Sequence, residues 1–113
     1  MFFVVNKYLI PKGFRGLTVF PFVFLKFRVD KDNAVFVNHE RIHLRQQTEL
    51  LILPFFVWYF LEYLFNLLKY NNKNHAYRNI SFEREAYNNE ADLEYLKKRK
   101  LFGFWKYLFL NKV

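Results

Sequence analysis

With 113 residues, the chain has room for one domain with one modest hydrophobic core. It contains no cysteine, which excludes disulfides and thiolate ligands, so any metal site must use histidine, aspartate or glutamate. The formal net charge of +8 favours an anionic partner, and because the basic residues form no recognisable nucleic-acid module, lipid is favoured over nucleic acid. The first residues lack a basic leader and a small-residue cleavage site, so we expect no cleaved secretory signal. We therefore expect the protein to be associated with a membrane, or otherwise to be cytoplasmic.

Residues 1–30 form the region in which the sequence predicts strands. Residues 2–10 are mostly apolar and predict a first strand that ends near Pro11. Residues 17–29 predict a second strand or a hairpin. Pro21 cannot donate a hydrogen bond to a ladder, which places this strand at a sheet edge or makes the proline its beginning. An exposed edge strand can hold an extended peptide, although a plain core strand explains the same pattern equally well.

Residues 33–53 predict an amphipathic helix with Asp32 or Asn33 as its N-cap. This helix carries the string His-Glu-Arg-Ile-His at residues 39–43. Positions i and i+4 lie on one face of a helix, so both imidazoles can reach one metal ion. Glu40 leans over the same face, where it can act on a water molecule. This is the HExxH arrangement of zinc peptidases, and the competing interpretation is a helix with two surface histidines.

Residues 50–68 are apolar except for Glu62 and Asn66. Their length is close to the roughly 20 residues that cross a bilayer, but the charge-free part also fits a buried core helix. Pro54 is expected to kink or restart the helix just after the motif. Trp58 is of a type that settles at membrane interfaces, as are the tyrosines that follow it. The stretch therefore predicts a core helix or a membrane segment, with membrane association favoured.

The remaining elements complete a single domain over residues 1–113. Residues 70–75 are polar and predict a loop. Ser81 predicts the N-cap of a second helix over residues 81–100. The aromatic tail at residues 101–113 follows a basic cluster and predicts an interfacial anchor or a closing core helix. The expected fold is α+β and mainly helical, with a short N-terminal β-hairpin or sheet, the HExxH helix, a long apolar helix and a second helix that bears glutamates.

A catalytic zinc site needs a third protein ligand beyond the two histidines, together with an open position for water. The extended HExxHxxGxxH pattern does not apply, because Gln46 replaces the glycine and Glu49 falls on another helix face. The acidic start of the second helix, residues 82–90, is the better source, since a helix packed across the first can supply one carboxylate. His75, in the predicted loop, is a weaker alternative ligand.

In this region the chain resembles the gluzincin peptidases, in which HExxH is followed by a glutamate in an E-x-x-A-D or E-x-E-A-D context. Residues 83–87 read Glu-Arg-Glu-Ala-Tyr and match that pattern except at the last position. The resemblance covers about residues 33–47 and 81–92 and is closest to membrane-linked members, such as the CAAX prenyl proteases and the antibiotic-sensing transducer peptidases. It implies a minimal zincin-like core with Glu83 as the third ligand.

The family pattern also implies residues that support the ligands. Tyr87 stands where the family has an aspartate that orients a ligating histidine, so Glu85 or Asp92 is expected to take that role. A tyrosine, histidine or arginine often assists the developing oxyanion in such sites. Besides Tyr87 and His75, the sequence offers Tyr77 and Arg78 for this purpose without choosing between them.

The resemblance therefore implies a zinc-dependent metallopeptidase that acts on a peptide or protein substrate. Zinc would be held by His39, His43 and Glu83, and Glu40 would act as the general base. The alternative is a non-catalytic, membrane-associated protein whose motif survives as a structural or vestigial metal site. Nucleic-acid binding driven by the positive charge is the least favoured interpretation.

Overall fold

The computed structural model describes residues 2–108, and these residues confirm the predicted α+β class with a mainly helical content. In chain order the elements are β1 (Phe2–Val5), β2 (Gly16–Val19), β3 (Phe22–Leu25), α1 (Ala34–Leu50), α2 (Ile52–Tyr70), α3 (Lys73–Arg78), α4 (Ser81–Asn89) and α5 (Tyr95–Lys98). Short 3-10 helices at Arg28–Asp32 and Gly103–Leu108 precede α1 and follow α5.

The three strands form a small mixed sheet in the order β1-β3-β2. β2 and β3 make an antiparallel hairpin, which confirms the hairpin alternative, and β1 pairs in parallel with β3. Pro21 immediately precedes β3, so its missing N–H removes no hydrogen bond from the strand itself. Val23 and Leu25 of β3 are fully buried and pack with Leu44 of α1. Because the strand order places β2 at one end, β2 is an edge strand of this sheet, and it also contacts α1.

The junction between α1 and α2 follows from local backbone chemistry. The Asn33 side chain accepts a hydrogen bond from the backbone N–H of Phe36, which confirms Asn33 as the N-cap. α1 ends at Leu50, earlier than predicted, because Leu51 adopts a φ of 67° and a ψ of 150°. That conformation costs a residue with a side chain about 1–3 kcal/mol. Pro54 lies in the first turn of α2, where its missing N–H has no partner in the helix, so the predicted restart is confirmed.

α1 lies between two hydrophobic clusters. On one side is the cluster formed with the sheet, and on the other is a cluster that contains Phe55 of α2, Phe82 of α4 and Phe104 of the C-terminal 3-10 helix. The ring centroids of Phe82 are 4.5 Å from Phe55 and 4.7 Å from Phe104. The buried face of α1 is largely polar, and its buried polar residues are Asn38, His39, Glu40, His43, Gln46 and Gln47.

The predicted loop at residues 70–75 is wrong in its second half. Asn72 accepts a hydrogen bond from the backbone N–H of His75 and caps α3, so His75 lies on a helix. The predicted N-cap of the next helix is wrong as well. Ser81 is the first residue of α4, and its N–H and Oγ–H donate to the carboxylate of Glu62 at 2.8 and 2.6 Å. Glu62 of α2 therefore supplies the cap from another helix.

The prediction of one continuous helix over residues 81–100 is wrong, because a side chain of α1 binds the backbone at the point where the helix would continue. The side-chain amide of Asn38 donates to the backbone carbonyls of Asn89, Glu90 and Asp92 at 3.3, 2.8 and 3.0 Å. Three carbonyls that converge on one amide cannot belong to a straight helix, in which successive carbonyls point along the axis. α4 consequently ends at Asn89, and a turn leads to the short helix α5.

The described part of the aromatic tail packs as a closing core segment. Phe104 and Tyr107 are buried, whereas Trp105 is 53% exposed. Residues 109–113 of the predicted tail lie outside the described residues.

Within residues 2–108, α2 is the one helix long and apolar enough to cross a membrane, judged by length and composition, and 11% of that window is buried. The core helix of a soluble protein can pass the same test. One side of α2 packs against α1 and α3, and the other side, which we call the outer face, is exposed and apolar. The outer face consists of Leu53, Val57, Phe60, Leu61, Leu64, Phe65 and Leu68.

Candidate metal centre

The three side chains that the sequence selects as ligands lie together in the fold. His39 and His43 stand one turn apart on α1, and Glu83 projects from the first turn of α4, which packs against α1. The two imidazole Nε2 atoms are 3.2 Å apart, and each lies 3.1 Å from Glu83 Oε1. All three residues are buried, so this group can hold a metal ion.

The partners of the outer ring nitrogens determine which nitrogen of each histidine can bind a metal. His39 Nδ1–H donates to Glu90 Oε1 at 2.7 Å. His43 Nδ1 lies 2.8 Å from Gln46 Oε1, and the Gln46 amide nitrogen already donates to the carbonyl of Phe82 and to Glu85. Gln46 Oε1 must therefore accept, which places a proton on His43 Nδ1. When both rings are neutral, as metal binding requires, the two Nε2 atoms are left with lone pairs that point into the triangle.

The carboxylate of Glu83 is oriented by a residue of α2. Tyr59 Oη–H donates to Glu83 Oε2 at 2.7 Å, which leaves Oε1 facing the two imidazoles. Three acceptor atoms so close together need a positive charge between them, which either a metal ion or a proton on an imidazole supplies. Burial would lower the pKa of His43, but Glu83 overrides this effect and raises the pKa to about 9. Although burial also acts to raise the pKa of Glu83, the two imidazoles hold it well below its ordinary value.

The spacing of the donors fits a metal ion. Three donors about 2.1 Å from one tetrahedral ion lie about 3.4 Å from each other. The observed separations of 3.1 and 3.2 Å are slightly shorter. A small outward movement of each side chain therefore admits an ion, and the set of two imidazoles and one carboxylate matches the donor types of catalytic zinc sites.

Glu40 lies beside the ligands in the same open cavity, whose volume is about 1090 Å³. It is 7% exposed, and its Oε2 accepts a hydrogen bond from Thr18 Oγ1 at 2.5 Å. Thr18 belongs to the edge strand β2, which is held against α1 because Gln47 donates to the Thr18 carbonyl and accepts from the N–H of Phe20. A carboxylate held in this way next to the candidate ion can take a proton from a water molecule in the cavity.

The residues expected to support the ligands take different roles from those predicted. Tyr87 contacts His39 edge-on, with ring centroids 4.5 Å apart, but the hydrogen bond to the His39 ring comes from Glu90. Asp92 is paired with exposed Lys98 at 2.7 Å and does not orient a histidine. Glu85 supports His43 indirectly, because it accepts a hydrogen bond from the Gln46 amide and Gln46 contacts His43.

His75, which the sequence offered both as an alternative ligand and for oxyanion stabilisation, lies outside the site. It is exposed on α3, whereas Tyr77, Arg78 and Tyr87 line the cavity. The hydroxyls of Tyr77 and Tyr87 are 3.3 Å apart. Burial raises the pKa of Tyr77 well above its ordinary value, so its hydroxyl remains a proton donor.

Sequence reasoning missed four residues that position the site: Thr18, Gln46, Tyr59 and Glu90. For Gln46 a signal was available, because it follows His43 by three positions. Residues three positions apart are neighbours on the surface of a helix. For Glu90 the signal was weaker, since it lies one turn beyond the position at which the family pattern has its aspartate. The contacts of Thr18 and Tyr59 depend on how β2 and α2 pack, and no local sequence pattern indicates them.

Behind the ligands lies a buried ionic network that joins three elements. Arg99, whose side chain is fully buried, pairs with Glu85 of α4 and with Glu49 of α1, the latter at 2.6 Å. Tyr95 Oη–H also donates to Glu85, at 2.6 Å. Gly103 borders this network, because a Cβ there would lie 2.8 Å from Glu85 Oε2. The segment after α4 therefore fixes Glu85, which in turn fixes Gln46.

Comparison of the chain with protein-family models, with curated protein sequences and with solved structures gives no match.

Proposed function

We propose that the protein is a zinc-dependent metallopeptidase of a minimal gluzincin type, in which His39, His43 and Glu83 bind zinc. The observation that carries this proposal is the convergence of two imidazole nitrogens and one carboxylate oxygen within 3.2 Å of each other in an open cavity. Zinc in such a site lowers the pKa of a bound water toward neutrality and polarises a peptide carbonyl.

The residues of the chain supply the remaining chemistry. Glu40 accepts a proton from the water that attacks the peptide carbonyl and delivers a proton to the departing amine, while Thr18 holds the Glu40 carboxylate in place. The Tyr77 hydroxyl, kept protonated by burial, faces the cavity as a donor for the oxygen on which negative charge develops. Residues 16–18 of edge strand β2 line the cavity, so an extended substrate would lie beside this strand.

The test separates metal binding from hydrolysis. Glu40→Gln should retain about one equivalent of zinc and lose hydrolysis of a fluorogenic peptide mixture by at least about 100-fold, since a general base contributes about 10²–10⁴-fold. His39→Ala should lose both, and Glu94→Gln, which alters an exposed glutamate outside the cavity, should lose neither. Zinc binding without hydrolysis by the wild type would favour the alternative, a non-catalytic protein with a structural or vestigial metal site. No zinc binding at neutral pH would refute the peptidase and the structural metal site.

We also propose that the protein associates with a membrane through the outer face of α2. Seven exposed apolar side chains on one helix form a surface of the kind that marks a membrane or partner contact, and the net charge of +8 suits anionic headgroups. The double variant Leu61→Ser/Phe65→Ser should lose flotation with vesicles that contain anionic phosphatidylglycerol. The control Val29→Ser/Leu93→Ser removes two exposed apolar side chains elsewhere and should keep it. Equal flotation of both variants would refute the assignment to α2.

A further inference from the structure

The cavity that contains the candidate metal centre has a cationic rim formed by Lys12, Lys73 and Arg78. Within residues 2–108 none of these three forms an ion pair, whereas Arg15, which also lines the cavity, is paired with Asp30 at 2.7 Å. Three carboxylates also line the cavity, and each of them is hydrogen-bonded at the candidate centre; they are Glu40, Glu83 and Glu90. A bound zinc ion would offset two of these three negative charges, so an anionic group of a ligand would meet the rim cations in a cavity of net positive charge.

Arg78 is the rim residue that stacks on Tyr87, whose ring contacts His39. Its guanidinium carbon lies 3.8 Å from the centroid of the Tyr87 ring, and that ring is 4.5 Å from the ring of His39. The guanidinium is therefore no farther from the His39 ring than the sum of these two distances. An extended peptide advances about 3.3 Å per residue, so the guanidinium lies within about two and a half residue steps of the His39 ring.

Stacking on Tyr87 prepares Arg78 for recognition of a carboxylate. A guanidinium that lies over an aromatic ring keeps the N–H groups along its edge free, and these match the two oxygens of a carboxylate. The ring also limits the orientations of the side chain, which reduces the entropy lost on binding.

We propose that Arg78 is a specificity-determining residue that binds a carboxylate of the substrate one residue beyond the cleaved bond. This inference rests on the proposed peptidase function, because it takes the substrate to be a peptide that crosses the candidate metal centre. Two sources supply such a group, the C-terminal carboxylate of a short peptide and the side chain of an acidic residue.

The experiment measures binding and so does not depend on turnover. Zinc-loaded Glu40→Gln protein is titrated calorimetrically with N-acetyl-Phe-Phe as the free acid, N-acetyl-Phe-Phe amide and N-acetyl-Phe-Asp amide. We expect the free acid to bind at least about tenfold more tightly than the Phe-Phe amide, as a charge-assisted bidentate pair provides. Adding Arg78→Gln should bring the two within about twofold, whereas Arg41→Gln, which changes an exposed arginine outside the cavity, should leave the preference intact.

Each outcome decides a separate question. Tight binding of the Phe-Asp amide would extend recognition to acidic side chains, and weak binding would restrict it to a C-terminal carboxylate. A preference for the free acid that persists in Arg78→Gln would assign the carboxylate to the metal and overturn the proposal, as would equal binding of acid and amide. The proposed peptidase function fails separately, if zinc-loaded wild-type protein cleaves none of these peptides and none of the fluorogenic mixture.

Discussion

Replacement of Gln46 by leucine tests the assignment of the histidine tautomers. Leucine has a similar volume but removes the acceptor of His43 Nδ1–H and the donor to Glu85. Gln46 is fully buried, so no water can replace these hydrogen bonds. His43 then has no partner to hold a proton on Nδ1, and its Nε2 is no longer kept free for a metal.

The expected magnitude follows from the hydrogen bonds that the substitution removes. The buried His43 Nδ1–H is left without an acceptor, which costs about 1–3 kcal/mol, and the carbonyl of Phe82 and the carboxylate of Glu85 each lose one donor. We therefore expect the free energy of unfolding to fall by about 2–4 kcal/mol. Zinc affinity should fall by about 10–100-fold, the usual cost of removing a group that orients a ligand. Chelator competition measures the affinity, and urea denaturation measures the stability.

Gln47→Leu is the matched control, because Gln47 is the next residue, is 1% exposed and contacts β2 instead of a ligand. It should lose a similar amount of stability while its zinc affinity changes by less than about threefold. Hydrolysis should still decline, since Thr18 would no longer be held against Glu40. Equal zinc affinities for the two leucine variants would refute the reasoning that Gln46 acts on the metal through His43.

Three further predictions concern the fold. Zinc at about a hundredfold above its dissociation constant should raise the free energy of unfolding by about 2.7 kcal/mol, reversibly with chelator, and no thermal shift would contradict a preformed site. Gly103→Ala should cost about 1–3 kcal/mol in urea denaturation, because its Cβ would lie 2.8 Å from Glu85 Oε2, and a loss below about 0.5 kcal/mol would contradict this crowding. Leu51→Gly should stabilise the fold by about 1 kcal/mol by relieving the positive φ, whereas Leu53→Gly, an equally exposed change inside α2, should destabilise it.

The sequence predicted the parts of the site that are encoded locally. The spacing of His39 and His43 on a helix depends only on helical periodicity, and the acidic start of α4 pointed to a carboxylate within residues 82–90. The resemblance to the gluzincin pattern selected Glu83 among them. The break at Pro54 and the cap at Asn33 likewise depend on neighbouring residues alone. The three candidate ligand atoms lie together because these local rules combine with one helix–helix contact, that between α1 and α4.

The parts that were missed depend on contacts between distant segments. The helix over residues 81–100 looked continuous because its composition favours helix, but the amide of Asn38, about half the chain away, captures the carbonyls at its break. Glu62 looked like an isolated charge in an apolar stretch, and it is the cap of α4. Glu90 took the orienting role because packing against α1 brings the last turn of α4 to His39. Only the tertiary arrangement shows these three roles.

The buried guanidinium of Arg99 has a consequence for how the protein matures. Arg99 follows all three candidate ligands in the chain, and until it has left the ribosome Glu49 and Glu85 have no counter-charge at the place where they must be buried. A chain that ends before this residue lacks the ion pairs that hold Glu85, and Glu85 is one of the two acceptors that position the Gln46 amide beside His43. In the proposed peptidase, zinc binding and hydrolysis would therefore both depend on a residue that lies well after the last of the candidate ligands.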